Sequence, residues 1–343
     1  VRQLAITLMQ KWNLSRALEQ YTSKLESEVK HRTQELENAL MQVRKSALAK
    51  TNFLSLMSHE IRNPINSIVG LIDLIQNCND QKIKENYINL TQKASQTLLE
   101  LVNDVLDLSK IEAHQLELEN NPIDISLLME QLISSYSIPV LKNGRELTSL
   151  FPIFLPDKIN GDSSRIKQIL ANFLTNAAKF TLEGNITLEL ECKRFNSKKA
   201  SLIFKVKDTG IGISEKDQKR LFTDYTQISD GIPYNLSGTG LGLSISRKIA
   251  ALMDGDVGVQ SKKGQGSTFW LEVKLNVSKT NHCIVDQEKI AKDLSLIIIT
   301  KSYATKIFFE YYAKELGIEK KCFILSELNE LHTLHKTLSQ SFD

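Results

Sequence analysis

The first 48 residues mix charged and apolar positions with no Gly or Pro to interrupt them. Val29, Leu36 and Val43 fall seven apart, with Leu25 and Ala39 at offset positions, which predicts a coiled coil; Arg32 at a core-like position weakens it locally. A second line runs through Leu40, Ala47, Leu54, Ile61, Ile68 and Ile75, and its offset from the first reads as a stutter. The helix is expected to reach about Asn77 and to break at Asn77-Cys78-Asn79-Asp80. A second helix follows, with Tyr87, Ala94, Leu101 and Leu108 seven apart and Leu90 and Val105 between them. Two long helices on a short loop make an αα-hairpin. One hairpin cannot cover both apolar stripes. Two copies can, as a four-helix bundle, so the pattern predicts a homodimer.

From about residue 118 the pattern changes, and Asn121-Pro122 breaks the helical run. Strands are predicted at Ile186–Lys193, Ala200–Asp208, Val257–Ser261 and Thr268–Leu275, and helices at 124–138, 163–180, 215–222 and 241–253. This is an α/β sandwich with one mostly antiparallel sheet backed by helices. Residues 279–292 read as a polar linker. The tail predicts a strand at Leu294–Thr300, a helix at about 303–315, a strand at Cys322–Leu325 and a further helical stretch.

Composition narrows the class. A net charge of +3 without a long basic run gives no reason to expect nucleic acid. The four cysteines form no CxxC pair, as expected of free thiols in a reducing compartment. No stretch reaches the length of a membrane span, so the segment itself is expected to make no membrane contact. A chain that begins at Val1 is read as a fragment whose upstream sensor is missing.

Candidate chemistry begins at Ser58-His59-Glu60-Ile61-Arg62-Asn63-Pro64. At 100° per residue His59 points about 140° from Leu54, toward solvent. Asn63 sits one turn along the same face, Glu60 lies beside His59, and Pro64 removes a backbone hydrogen bond and is expected to kink the helix. A neutral imidazole is a usable nucleophile near pH 7, and an adjacent carboxylate can fix its tautomer. A surface histidine beside a glutamate is also common without function.

On helix 163–180, Asn172, Asn176 and Lys179 share one face, and Arg165 and Gln168 are expected to project the same way. Carboxamide oxygen suits Mg²⁺, and lysine suits phosphate. Asp208-Thr209-Gly210-Ile211-Gly212 ends a strand, where a carboxylate can accept from the adenine amine. Gly238-Thr239-Gly240-Leu241-Gly242 opens a helix, with backbone amides suited to phosphate. It is neither a Walker loop nor a Rossmann turn. Residues 223–237 read as a lid. Each glycine pair alone is a common turn.

Order and spacing join these signals. Phe53–Pro64 resembles the H-box of the histidine kinase dimerisation and phosphotransfer domain. Gly161–Arg165, Asn172–Thr181, Asp208–Gly212, Leu221-Phe222, Gly238–Gly242 and Gly264-Gln265-Gly266-Ser267-Thr268-Phe269 resemble, in order, the nucleotide boxes of the histidine kinase ATPase domain, a Bergerat-type fold. The resemblance spans about residues 45–275. It implies that His59 accepts phosphate, Glu60 assists, and Asn63 positions water in the reverse, phosphatase direction. It implies Asn172 on Mg²⁺, Asn176 and Lys179 on the phosphates of ATP, and Asp208 on adenine. Gly210, Gly212, Phe222, Thr239, Gly240, Leu241 and Gly242 would line the nucleotide, and Ser267 or Thr268 would act through water. It further implies relay to a response-regulator receiver aspartate and a place on the cytoplasmic side of a bacterial inner membrane.

The chain departs from the pattern where Asp224 and Tyr225 replace a Pro and a Phe, and where Asn235 and Ser237 replace a basic residue and a Gly. The expected organisation is a signalling coiled coil at 1–48, a dimerisation and phosphotransfer domain at 49–117, an ATP-binding domain at 118–278, a linker, and a partial receiver-like segment at 293–343. That tail lacks the acidic pair after its first strand, which reads Ile298-Ile299-Thr300-Lys301-Ser302, and stops before an acceptor strand. Two other classes remain open: an ATPase of the gyrase, Hsp90 and MutL group, against which Ser58–Pro64 argues, and an ATP-binding scaffold or phosphatase-dominant protein, which Asn235 and Ser237 keep in play.

Overall fold

The computed structural model describes residues 2–141, 144–152, 155, 159–195, 199–223, 240–277, 296–318 and 322–326. The chain forms two compact units, Val1–Ser95 and Gln96–Asp343.

The first unit is helical. The segment predicted to form a coiled coil and the first hairpin helix are one uninterrupted helix, α1 (Arg2–Asn77), continuous across Pro64. At 1.5 Å per residue it is about 110 Å long. Along its first half the seam lies bare in a single chain: Leu25 is 44% exposed and Val29 63%. Further along, Ile61, Ile68 and Ile75 are half-buried, as are Tyr87 and Ala94 in the next helix. That helix, α2 (Gln81–Glu112), starts where Asp80 Oδ1 accepts from the backbone amides of Lys82 and Ile83, at 2.8 and 3.1 Å. Among the described residues no helix is long and apolar enough to cross a membrane.

The second unit is built on a seven-stranded sheet. Its strands are β1 (Asn121–Ile123), β2 (Arg145–Leu150), β3 (Ile159–Gly161), β4 (Gly184–Phe195), β5 (Lys199–Asp208), β6 (Asp256–Lys262) and β7 (Gly266–Val277). The order is β1-β3-β7-β5-β4-β2, with β6 also on β7. All pairs are antiparallel except β2 with β4. The four predicted strands are present, lengthened by a residue or more at their ends. β1, β2 and β3 were not predicted. The helices are α3 (Ile125–Leu141), α4 (Ser163–Phe180), α5 (Glu215–Gln218) and α6 (Gly242–Leu252). The helix expected over 215–222 therefore stops at four residues. The tail forms β8 (Leu296–Ile299), α7 (Tyr303–Glu315) and β9 (Cys322–Leu325), with β8 and β9 parallel. The predicted linker and the helical stretch after β9 lie outside the described residues.

The core forms between the sheet and α4. Ile166, Ile169, Leu170 and Phe173 are fully buried, and the Phe173 ring meets Phe269 of β7 at 5.5 Å between centroids. Both ends of α4 are pinned by buried charges. At the start, Asp162 caps Arg165 N at 3.0 Å, and its other oxygen accepts from Glu119 N at 3.0 Å. Burial opposes the Asp162 charge, but the Ser164 hydroxyl, these amides and the Arg165 guanidinium outweigh it and hold the carboxyl below its usual range. At the other end, Arg145 of β2 is 7% exposed. It donates to the carbonyls of Pro139 and Val140 at the end of α3, and to Ala178 and Thr181 at the end of α4. A cation at two helix C-termini satisfies carbonyls that have no partner within their helices and complements both dipoles.

α2 carries Glu100, Asp104 and Asp107 at helical spacing on one face. Asp107 Oδ2 accepts from Arg165 Nη1 at 2.9 Å and Gln168 Nε2 at 2.7 Å. Burial, then the neighbouring charges of Asp107 and Glu100, raise Asp104 to about 6. The folded state therefore binds this proton more tightly than the unfolded chain. Stability from this group falls as pH rises from about 4 to about 6.

Two outcomes follow from these buried charges. Arg145→Met leaves four carbonyls without their donor, and the second unit should lose about 2–4 kcal/mol, read as a lowered calorimetric transition. Asp104→Asn should raise stability at pH 7 by on the order of 1–2 kcal/mol, with the gain shrinking toward pH 4; unfolding midpoints taken across that range check it.

Candidate functional site

On α1, His59 is exposed and its neighbours gather at one ring nitrogen. Asn63 Nδ2 lies 3.3 Å from His59 Nδ1, and Glu60 Oε1 lies 3.8 Å from the same atom. The His59 side chain is 58% exposed and that of Glu60 27%. The Asn63 NH₂ can only donate, so as placed it suits an Nδ1 that carries the lone pair, whereas the Glu60 carboxylate favours a proton there. With Nδ1 protonated, the Asn63 amide turns its oxygen to that proton and the lone pair is on Nε2, which has no partner among the described residues. The helical spacing thus brings the three predicted residues together. The expected kink does not interrupt the helix at Pro64.

The second cluster lies in the other unit, between α4 and α6. Asn172 Nδ2 donates to Ser246 Oγ at 3.0 Å, and Ser246 Oγ donates to the Gly242 carbonyl at 2.7 Å. A hydroxyl has one proton. Because Ser246 spends it on Gly242, it must accept from Asn172, and the Asn172 amide is fixed with its NH₂ toward Ser246. Its Oδ1 faces Asn176 Nδ2, at 3.3 Å. A Cβ at Gly242 would lie 2.5 Å from that oxygen, so only glycine leaves room for it. A carboxamide oxygen held this way is a hard donor that fits Mg²⁺. Lys179 sits over the Phe180 ring at 5.0 Å.

Asp208, at the end of β5, is 5% exposed. Its Oδ1 accepts from Gly210 N at 2.8 Å and Ser267 N at 3.2 Å. Burial pushes its carboxyl up, and these two amides only partly restore the charge. Oδ2 has no partner among the described residues. Gly210 allows this turn, since a Cβ there would lie 2.4 Å from the Phe180 carbonyl. Gly212 turns the next step at φ +66°, and Ile213 N then reaches Ser261 Oγ at 2.7 Å.

Several predicted residues are placed otherwise than expected. Arg165 and Gln168 do not extend the Asn172 stripe: at the start of α4 the nearest acid is Asp107, and both are bound to it. The Thr268 side chain faces away from Asp208, because consecutive strand residues point to opposite faces. Ser267 meets Asp208 through its backbone, while its hydroxyl lies 2.9 Å from Ser261 Oγ. Ser261 already donates to the Gly266 carbonyl, so Ser267 is the donor of that pair. Leu241 is fully buried and anchors the start of α6. Gly240 precedes it at φ +71°. Phe222 lies under Arg247, whose guanidinium is 6.0 Å from the ring. Thr239, Asp224, Tyr225, Asn235, Ser237 and nearly all of the predicted lid lie outside the described residues. Ser246 was not anticipated; its one trace in the sequence is its place a turn after Gly242.

Comparison with known proteins agrees with this geometry. Residues 49–114 match the family described as His Kinase A (phospho-acceptor) domain. Residues 161–277 match the family described as histidine kinase-, DNA gyrase B- and HSP90-like ATPase. The chain is 35% identical over 244 residues to the signal transduction histidine-protein kinase BarA of Escherichia coli strain K12, covering 71% of this chain and 27% of that protein. It is 36% identical over 241 residues to the sensor protein GacS of Pseudomonas syringae pv. syringae, covering 70% of this chain and 27% of that one. The chain thus spans about a quarter of the length of these curated relatives. Among solved structures, full-length ShkA in complex with AMPPNP is similar at a TM-score of 0.61 and 27% identity, covering 81% of this chain and 56% of that one. With the phospho-acceptor hairpin and the ATPase domain following one another in a single polypeptide, the chain belongs to the histidine kinase family.

Proposed function

We propose that the chain is an ATP-dependent autokinase that transfers the γ-phosphoryl group of ATP to Nε2 of His59 and relays it to an aspartate on a response-regulator receiver. The observation that carries this reading is the exposed His59 with Glu60 and Asn63 both at Nδ1. The Nε2 lone pair attacks phosphorus, the bond to the β–γ bridging oxygen breaks, and ADP leaves. The positive charge that develops on the ring is stabilised by Glu60, toward which the Nδ1 proton moves. Asn63 is suited to hold a water for the reverse reaction on a phosphorylated regulator.

In the ATPase unit, Asp208 Oδ2 is available to accept from the exocyclic amine of adenine. Asn176 and Lys179 would serve the phosphates together with the amides that open α6, with Gly240 and Gly242 giving close backbone approach. Asn172 would hold Mg²⁺, which supplies charge neutralisation for the phosphate oxygens when bound. Ser246 orients Asn172.

The bare seam of α1 and the phospho-acceptor family match support a homodimer. A role in sensing is in keeping with a relative named as a sensor protein, and a position on the cytoplasmic side of a bacterial inner membrane is proposed with it.

Incubation with γ-labelled ATP and Mg²⁺ tests the reaction. Acid-labile, base-stable label on the wild-type chain and none on His59→Gln is expected. No label on wild type with nucleotide binding intact would instead indicate a scaffold or phosphatase. Ser246→Ala should weaken ATP·Mg²⁺ binding about tenfold, the loss of one orienting hydrogen bond, with little change in melting temperature. Unchanged affinity in calorimetric titration would remove Ser246 from the site.

A further inference from the structure

The sheet of the ATPase unit has two faces. α3, α4 and α6 pack on one of them. On the other, β4, β5 and β7 carry a polar lattice in which Lys205 pairs with Glu191, Lys193 with Glu272 at 3.7 Å, and the Ser201 hydroxyl with Glu272 at 3.1 Å. Such a lattice belongs to a face open to water.

At the β2 edge the outer face changes character. Parallel register sets Glu146 beside Asn185, Thr148 beside Thr187 and Leu150 beside Glu189. Arg145 points inward to the helix ends, so Glu146, Thr148 and Leu150 point outward. Yet Thr148 is 7% exposed, Thr187 7% and Leu150 5%. The cover is α7 of the tail, which packs on β2 and β4. Its first turn is held by Glu146, whose Oε2 accepts from Ala304 N at 2.7 Å. A carboxylate at a helix N-terminus is favoured by the dipole and satisfies an amide that no helical carbonyl reaches. Two turns on, the Tyr312 hydroxyl meets the backbone of Phe151. Tyr311 lies among Glu189, Glu191 and Glu315, and burial with these charges pushes it up to about 12. The helix therefore packs on β2 and β4, with its first turn held by Glu146. An edge strand that would otherwise present a bare outer face is covered.

The same contact bears on chemistry. In parallel βα units, ligands bind beyond the carboxyl ends of the strands. Here the strand ends in Ile299-Thr300-Lys301-Ser302, with no acidic pair to hold a metal. The amide just beyond it is already taken by Glu146 of the ATPase sheet.

We infer that the outer face of the sheet at β2 is a docking surface for this chain's own C-terminal βαβ segment, and that the segment is a fixed seat on the ATPase domain, not a phosphoryl acceptor. The tail then travels with the ATPase domain when that domain delivers phosphate to His59.

Hydrogen exchange on the whole chain tests this, with Glu146→Lys and Tyr312→Phe as variants. In the wild type, amides of α7 and of β2 should be protected together. In each variant both sets should exchange about tenfold faster, as for loss of one hydrogen bond at the interface. α4 should stay protected and affinity for a non-hydrolysable ATP analogue should stay within about twofold, which shows that the domain is folded. Tyr312→Phe keeps the test decisive if the charge reversal disturbs β2 itself. Wild-type α7 exchanging at open-chain rates, or α7 exchange unmoved in Tyr312→Phe, would overturn the docking. Base-labile acyl phosphate mapped to residues 293–343 after incubation with labelled ATP would overturn the exclusion of an acceptor role.

Discussion

Helix α4 has one face that cannot be exposed and another that must therefore be. Ile166, Ile169, Leu170, Phe173, Leu174 and Ala177 are each 1% exposed or less. Fully burying an aliphatic or aromatic side chain contributes roughly 1.5–3 kcal/mol, so rotating this helix by even one position would be costly. Its azimuth decides where Asn172 and Asn176 point. Its ends are then locked by two buried charges, Asp162 at the start and Arg145 at the finish, so sliding along the axis is opposed as well. The hydrogen-bond chain from Asn172 through Ser246 to Gly242 adds the last degree of freedom, the flip of the amide. Hydrophobic burial sets the coarse position, and hydrogen bonds set the atom.

The phospho-acceptor helix works by a different rule. His59 is presented by a long regular helix and needs no pocket. What it needs is local: a carboxylate one position along and an amide one turn along, both at Nδ1. Spacing alone supplies that, which is why this grouping of side chains was readable from seven consecutive residues. The long apolar periodicities of α1 and α2 were readable for the same reason, since each repeats over many turns.

Other features were not readable, and the causes are physical. β1 and β3 are three residues each, too short to show a period. β2 has polar residues on both faces because both are covered: Arg145 turns in to helix carbonyls and Glu146 turns out to α7. Arg165 and Gln168 lie within the angular range of Asn172, but angle ignores what stands opposite each turn, and opposite theirs stands Asp107. Ser246 acts through another residue, and such roles leave little mark on a single sequence. The tail elements were legible one by one, whereas their seat on the sheet depends on partners more than 150 positions away.

The reactive atom is the narrowest point of this account, because it rests on a proton at Nδ1, favoured by Glu60, that puts the lone pair on Nε2. Phosphorus–proton correlation NMR on the chain after incubation with ATP and Mg²⁺ reports which ring nitrogen carries the phosphoryl group. Phosphate on Nε2 of His59 is the predicted result. Phosphate on Nδ1, or on any other residue, would contradict it.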